Sequence, residues 1–337
     1  MIPFLLRHLV ESTLVCLLLS GLACCLRHSA TARYAVWLLA AAKFTIPSIL
    51  LAKTGAEIAF LWPAAGWLSL IANQVSRFLL ALFSFLPAGF DHSASYTAAL
   101  FIWSFGTLSL FSLWFIRLQK KGSFSLPPTE RELAALSRAR RKLTVRWPLA
   151  FRLSDAHTEP ALWGFCRPTI MVPTGLSEAL KPAEFEAVLL HELAHARRLD
   201  NLTSAFVHLL VCLFWFHPLL WLIERRLNVE RERACDETVL ASGVAGCTYA
   251  AGIVKVCKFH LFEATAGVST MTGSDLTRRL ELILDNRAPH RLLFVPRVLF
   301  AGLAFLITLI PIAGGYCQRC VSNLQKLPQT NITEKNK

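Results

Sequence analysis

The residues best suited to chemistry are His191, Glu192 and His195, which lie in the motif His-Glu-Leu-Ala-His. They fall at the end of an apolar-periodic run over 185–199, and this run predicts a helix. Residues four apart share one helix face, so both imidazoles can reach a single metal ion. Glu192 can then accept a proton from a nearby water without ligating the metal. The spacing favours metal-assisted hydrolysis over its alternative, a solvated helix face that happens to carry two histidines.

A second stretch, at 231–237, also reads as helix and offers further ligands. Glu232 and Asp236 are four apart and share a face. A Glu is an acceptable third zinc ligand and leaves the fourth position open, as a catalytic site requires. Asp236 could accept the outer N–H of a ligand histidine and so fix its tautomer. The alternative is a salt-bridged surface helix, because the stretch carries several other charges.

Both motifs, together with Trp-Phe-His-Pro at 215–218 and the flanking apolar runs, resemble the membrane zinc peptidases of the antirepressor family. That family includes the beta-lactam-sensing transducers that control penicillinase and methicillin resistance. The resemblance covers roughly residues 1–315 and is most specific at 160–240. It implies one Zn²⁺ with His191, His195 and Glu232 as ligands, Glu192 as catalytic base and Asp236 behind the ligands.

The composition indicates a membrane protein. Hydrophobic residues make up 54% of the 337-residue chain and charged residues only 17%, which is too apolar for an ordinary soluble protein. The net charge of +13 would also suit nucleic acid. However, the basic residues cluster where apolar runs end, so we expect lipid headgroups as the partner and no direct nucleic-acid binding. Four runs are long enough to cross a bilayer as helices: about 9–26, 34–52, 96–116 and 291–314.

Basic flanks after the first and third runs belong on the cytoplasmic side of the membrane. The predicted fold is therefore an integral membrane protein with about four helical spans and an inserted cytosolic α+β zinc-peptidase domain. The domain is of the gluzincin type, in which a downstream Glu is the third ligand. Residues 1–121 form the N-terminal membrane region, 122–290 the peptidase domain and 315–337 a short extracytoplasmic tail. Whether 67–86 also crosses the membrane is left open.

Within the domain, Thr129 and Glu132 have the spacing of a capping box that opens a helix through Lys142. Strands are predicted at 144–153 and 161–172. The second strand directly precedes the metal helix. In similar peptidases an edge strand at this place pairs with the substrate backbone, but an ordinary core strand fits the residues equally well.

The apolar run at about 203–223 is long enough to span a bilayer, yet it separates His195 from Glu232. A full crossing would leave Glu232 on the opposite side from the histidines. The run must therefore turn back if Glu232 is a ligand, and His217-Pro218 is the natural place. We predict a helical hairpin that dips into the membrane or packs against it, which puts the site close to the membrane surface.

Several further residues are weaker candidates. Tyr249 could donate to the oxyanion of the tetrahedral intermediate, although helix packing explains it as well. Asp200 either orients the metal helix or forms a surface salt bridge. The charges of the amphipathic stretch 276–284 are most simply solvated. The pair Cys317 and Cys320 could form a disulfide but is interpreted as incidental.

These features predict a zinc metalloendopeptidase in the bacterial plasma membrane, with its peptidase domain in the cytoplasm and a role in signal transduction. The substrate is expected to be a protein. By resemblance it is a winged-helix transcriptional repressor or the enzyme's own linker, and a homodimer is compatible with the sequence. The beta-lactam-sensing relatives carry a large sensor after the last span, whereas 315–337 is short and polar, so beta-lactam sensing is not expected here.

Two other classes of function stay open from the sequence. The first is a catalytically silent membrane transducer or scaffold with the same fold, against which the intact Glu192 argues. The second is a transporter or channel, suggested by Glu11 and Lys43 within apolar runs. No inverted repeat supports a transport pathway.

Overall fold

The computed structural model describes residues 2–26, 29–46, 92–119, 126–145, 148–154, 159–165, 167–263, 273–285 and 302, and helices predominate among them. In chain order the elements are α1 (Ile2–Cys25), α2 (Ala30–Lys43), α3 (His92–Gln119), α4 (Glu130–Leu143), β1 (Ala150–Ser154), β2 (Ala161–Trp163), β3 (Thr169–Pro173), α5 (Leu176–Ala179), α6 (Pro182–Arg198), α7 (Asp200–Leu213), α8 (Pro218–Ala241), α9 (Gly246–Glu263) and α10 (Gly273–Leu284).

The described residues divide into two compact units. The smaller unit contains α1 up to Leu22, the end of α2 and the start of α3. Its polar groups are paired across helices: Lys43 is buried and donates to Ser12 Oγ at 3.3 Å. Lys43, which lies in an apolar run of the sequence, therefore faces another helix. The larger unit contains the start of α2, the second part of α3 and all the elements from α4 to α10.

Among the residues that the structure describes, two helices are long and apolar enough to cross a membrane by length and composition: His8–Cys25 and Thr97–Gln119. They coincide with the predicted spans at 9–26 and 96–116. Only 34–46 of the predicted second span lies within the described residues, where α2 ends at Lys43. The predicted fourth span at 291–314, the stretch 67–86, the tail 315–337 and the pair Cys317 and Cys320 lie outside them, apart from residue 302.

The sheet of the larger unit has three strands in the order β1-β3-β2. β1 runs parallel to β3, with Ala150 opposite Thr169, and β2 runs antiparallel, with Ala161 opposite Met171. The predicted single strand at 161–172 is thus wrong: it is a hairpin of two strands. Gly164 explains the reversal, because its φ of +83° and a Cβ-to-carbonyl clearance of only 2.8 Å require glycine.

Helix α6 is the central element of the hydrophobic core. Its side chains at Leu189, Leu190 and Leu193 are buried against α4, α9 and the β3 residues Ile170 and Val172. Helix α4 opens on the predicted capping box, in which the backbone N–H of Thr129 donates to Glu132 Oε2 at 2.8 Å. The core therefore surrounds the helix that carries the histidine motif and fixes its position.

Two backbone reversals follow α6. Leu199 adopts the left-handed conformation, with φ of +57°, so α7 starts immediately at Asp200. After α7, residues 214–217 form a turn, and Pro218 opens α8 at a position that proline favours. Helices α7 and α8 form a hairpin, which returns the chain to the end of α6.

Candidate metal centre

Nitrogen and oxygen atoms of three residues from α6 and α8 converge on one point. His191 Nε2 lies 3.1 Å from His195 Nε2 and 3.4 Å from Glu232 Oε2, and His195 Nε2 lies 3.7 Å from Glu232 Oε1. Zinc bonds of 2.0–2.2 Å in tetrahedral geometry place ligand atoms about 3.3–3.6 Å apart. The residues therefore fit a zinc ion with one coordination position left for another ligand.

The hairpin of α7 and α8 explains how residues 37 positions apart in sequence meet. His191 and His195 are one turn apart on α6, and Glu232 is in the middle of α8. The three face a cavity of about 550 Å³. Its wall also includes the β2 residues Ala161 and Leu162 and apolar side chains of α6, α9 and α10, namely Val188, Ile253, Val256 and Leu276.

Glu192 lines the same cavity and is only 7% exposed. Burial disfavours the carboxylate and raises the pKa of Glu192, against the opposing influence of His195 and His191. A raised pKa suits a carboxylate that must first accept and later donate a proton. The structure thus brings Glu192 to the metal-ligand cluster while its environment makes it a better base.

Behind the cluster, His195 Nδ1 donates to Asp200 Oδ2 at 2.7 Å. Asp200 also pairs with Arg198 Nε at 3.3 Å, but it is only 1% exposed, so this salt bridge is buried and not at the surface as the alternative had it. The contact with His195 holds the proton on Nδ1 and leaves the Nε2 lone pair free for a metal. The Cys235 thiol lies 3.4 Å from the same nitrogen, and burial raises the pKa of Cys235 well above its ordinary value, so it stays a neutral neighbour.

The outer nitrogen of His191 has a different partner. His191 Nδ1 lies 2.8 Å from the Tyr249 hydroxyl, which in turn donates to Asp236 Oδ1 at 2.6 Å. The direct separation between His191 Nδ1 and Asp236 Oδ1 is 3.4 Å. Asp236 therefore interacts with His191 mainly through the Tyr249 hydroxyl. The sequence had instead suggested a direct contact between Asp236 and a histidine.

Tyr249 is 1% exposed and lies on the far side of the His191 ring from the converging Nε2 atoms. The sequence suggested this hydroxyl as an oxyanion donor. A donor in that role must face the substrate carbonyl, whereas this hydroxyl is bonded to His191 and Asp236. The geometry instead favours a role in orienting His191.

Arg279 of α10 contacts the cluster although the sequence did not predict this. Its guanidinium donates twice to Asp236, with both distances 2.9 Å, and its Nη1 lies 3.3 Å from Glu232 Oε2. The side chain is only 11% exposed, so the expectation that the charges of 276–284 are solvated is wrong for Arg279. A signal was present: Arg279 is three residues after Leu276 and four before Ile283, on the apolar face of the helix.

The charges of the cluster favour a cation. Burial opposes the ionisation of Glu232 and Asp236, but hydrogen bonds to His191 and the charge of Arg279 hold the pKa of each carboxyl below its ordinary value. Burial favours neutral His191, yet the nearby carboxylates of Asp236 and Glu232 raise the pKa of His191 to about 10. Ligands must be deprotonated to bind a metal. Zinc would therefore take the place of the proton that Glu232 and Asp236 stabilise on His191.

Strand β2 forms one rim of the cavity and is held by Asn201 of α7. Asn201 Nδ2 donates to the carbonyl oxygens of Leu162 at 2.9 Å and Gly164 at 3.0 Å. Within the described residues β2 pairs only with β3, so it is an edge strand of this sheet. Asn201 was not identified from the sequence, since nothing about an isolated asparagine points to a distant strand.

Two histidines, a downstream glutamate and a buried second glutamate on one helical scaffold define a site of the metallopeptidase class. Residues 3–283 match the family described as BlaR1 peptidase M56, and the chain belongs to this family. The family resemblance inferred from the motifs is thereby confirmed. The family is one of metallopeptidases.

Individual relatives match over a shorter segment. The chain is 40% identical over 81 residues to the regulatory protein BlaR1 of Bacillus licheniformis, which is 24% of this chain and 13% of that protein. It is 30% identical over 81 residues to the methicillin resistance mecR1 proteins of Staphylococcus aureus and Staphylococcus epidermidis, again 24% of this chain but 14% of theirs. The matched segment thus spans about one seventh of the relatives' length.

Proposed function

We propose that this protein is a membrane-embedded zinc metalloendopeptidase that hydrolyses a peptide bond of a protein substrate at the cytoplasmic face of the bacterial plasma membrane. The observation that carries the proposal is the convergence of His191, His195 and Glu232 within 3.1–3.7 Å of one another. The buried carboxylate of Glu192 lines the same cavity.

Each residue has a role that its position supports. When bound, zinc supplies Lewis acidity that polarises the scissile carbonyl and acidifies water. Glu192 accepts a proton from the attacking water and delivers it to the leaving amine. Asp200 keeps His195 in the tautomer that ligates through Nε2, and Tyr249 does the same for His191.

Strand β2 supports an extended peptide as the substrate. An edge strand has unpaired backbone groups that can add a further strand by hydrogen bonding. Ala161 and Leu162 line the cavity that contains the metal ligands, and Asn201 fixes the strand there. A substrate backbone that pairs with β2 would pass close to Glu192. This preference for extended segments favours a flexible linker of a protein over a folded surface.

The hairpin supports a position at the membrane. Trp215, at its turn, packs on Gly106 of α3, where a Cβ would come within 2.5 Å of the indole. His208 of α7 lies 5.3 Å from Trp114 of α3, measured between ring centroids. Since α3 is apolar enough to be a span, these contacts would hold the hairpin of α7 and α8 next to the membrane.

The regulatory names of the relatives favour a role in signal transduction. The proposed substrate is a transcriptional repressor, by resemblance of the winged-helix class, or this chain's own linker. Cleavage of either would convert a membrane event into a change in the cytoplasm. The alternative is a silent transducer, which would need the fold and the metal site but not the buried base Glu192.

The test is metal analysis combined with a hydrolysis assay on the full chain in lipid nanodiscs. We expect about one zinc per wild-type chain and loss of that zinc in His195→Ala and Glu232→Ala. Glu192→Gln should keep the zinc and lose cleavage of a quenched-fluorescent library of extended peptides. Wild-type protein without zinc would overturn the metal site. Equal cleavage by wild type and Glu192→Gln would overturn the mechanism.

A further inference from the structure

We propose that Arg279 is a positioning residue of the metal centre, which holds Glu232 and Asp236 in place so that Glu232 and His191 present their ligand atoms to one ion. The inference rests on the proposed function, because it needs a metal at the cluster. Arg279 comes from α10, an element that contributes none of the three ligands.

The first argument is the geometry of the guanidinium. Nε donates to Asp236 Oδ2 and Nη2 to Asp236 Oδ1, both at 2.9 Å, while Nη1 lies 3.3 Å from Glu232 Oε2. Only an arginine has donors in a planar fork that can hold one carboxylate through two bonds and still reach a second one. The two carboxylates are four residues apart on α8 and repel each other. Arg279 offsets that repulsion and fixes both orientations.

The second argument is the route from Arg279 to His191. Asp236 Oδ1 accepts hydrogen bonds from both Arg279 and the Tyr249 hydroxyl, and that hydroxyl has one proton to give. With its proton directed to Asp236, the Tyr249 oxygen can only accept from His191 Nδ1, at 2.8 Å. His191 is then fixed in the tautomer whose Nε2 carries the free lone pair. Arg279 therefore determines the state of a ligand that it does not touch.

The third argument separates positioning from charge. A cation next to a metal site repels the metal, so removal of Arg279 should strengthen zinc binding if its charge were all that mattered. If its hydrogen bonds position the ligands, removal should weaken zinc binding, by about 10- to 100-fold as for other outer partners of metal ligands. The two possibilities therefore predict opposite changes in zinc affinity when Arg279 is removed.

The experiment measures zinc affinity of the full chain in detergent by competition with a chromophoric chelator. We expect Arg279→Gln to bind zinc about 10- to 100-fold more weakly than wild type. Arg279→Lys, which keeps the charge but not the fork, should also be weaker. Arg278→Gln is the matched control, because Arg278 is an exposed neighbour on α10, and its affinity should equal that of wild type. Unchanged or tighter binding by Arg279→Gln overturns the proposal.

Two readouts exclude a general loss of structure. In the Co²⁺-loaded protein, Arg279→Lys should shift the visible d–d absorption bands, because the ligand geometry changes, while Arg278→Gln should not. In an Asp236→Asn background the effect of Arg279→Gln should shrink, since Arg279 acts partly through that carboxylate. Unshifted bands, or strictly additive losses, would overturn the positioning role. Wild-type protein that binds no zinc would instead refute the metal site itself.

Discussion

His195 donates its Nδ1–H to Asp200 across 2.7 Å, although the two residues lie on different helices. The contact depends on Leu199, which adopts the left-handed conformation between them and lets α7 begin without a loop. A longer connection would carry Asp200 away from the metal helix. A single backbone reversal therefore provides the partner that orients His195, one of the two candidate ligand histidines.

Loss of this partner should weaken the metal site. We expect Asp200→Ala to reduce zinc affinity by about 10- to 100-fold, because the His195 ring loses the contact that fixes its tautomer. Asp200→Asn should lie between Ala and wild type, since the amide oxygen can still accept from Nδ1 while its NH₂ faces other donors. Competition with a chelator measures each affinity.

Glu281→Gln is the matched control for this prediction. It removes a carboxylate from an exposed position on α10 and should leave zinc affinity unchanged. If Asp200→Ala bound zinc as tightly as Glu281→Gln, the orienting role of Asp200 would be refuted.

The sequence predicted His191, His195 and Glu232 as candidate metal ligands because ligands on a helix follow the helical period. Two histidines four apart must share a helix face, and a third ligand beyond an apolar run must return to them. The reversal at 214–217 could therefore be predicted from His217-Pro218 and the need for Glu232. The strand hairpin at 161–173 could not be predicted, because it depends on the positive φ of Gly164. A glycine in an apolar run can equally indicate a bulge or a close approach of backbones.

The residues around the ligands were harder to predict. Tyr249 and Arg279 meet Asp236 only because α9 and α10 pack beside α8, and helical periodicity does not specify which neighbour a helix contacts. The pattern around Arg279 did place it on an apolar face. An arginine on that face can be buried when carboxylates lie opposite it, and Asp236 and Glu232 do so here.

The contact between the hairpin and α3 should depend on the absence of a side chain at Gly106. We expect Gly106→Val to destabilise the protein by about 1–3 kcal/mol through overpacking against the Trp215 indole. Trp215→Ala should partly relieve this loss in the double variant, which thermal unfolding in detergent will show. Gly21, where a Cβ meets nothing within 4 Å, is the control position. Equal melting temperatures for Gly106→Val and Gly21→Val would contradict the contact.

The start of α6 should give a pH-dependent contribution to stability. Glu184 accepts from the Lys181 backbone N–H at 2.8 Å and from Lys255 Nζ at 2.6 Å. Burial opposes its ionisation, but the bonds with Lys255 and Lys181 lower the pKa of Glu184. A carboxyl with a depressed folded-state pKa stabilises the protein above its ordinary pKa of about 4.5 and loses this contribution as the pH falls.

Glu184→Gln should therefore lower the melting temperature at pH 7 and have a shrinking effect as the pH falls below about 4.5. Thermal unfolding between pH 7 and pH 3.5 measures the difference from wild type. Glu178→Gln, on the short helix α5, serves as the control, because Glu178 is exposed to solvent and its substitution should not reproduce this loss. A wild-type advantage that stays constant down to pH 3.5 would refute the assignment.

The start of α2 is joined to the ligand helix α8 by a buried ion pair. Arg33 Nη2 lies 2.7 Å from Glu230 Oε2, and Glu230 is nearly inaccessible to solvent. Arg33→Ala would leave this carboxylate with a weaker partner, Arg233, at 3.3 Å. We expect a loss of about 2–3 kcal/mol in the free energy of unfolding, because an under-compensated buried charge is costly.

The double variant Arg33→Met with Glu230→Leu provides the control for that loss. An apolar pair of similar volume removes both charges, so it should recover most of the stability that Arg33→Ala loses. Denaturant unfolding of the three proteins measures the comparison. A double variant no more stable than Arg33→Ala would show that packing, and not the uncompensated charge of Glu230, dominates at the junction between α2 and the helix that carries Glu232.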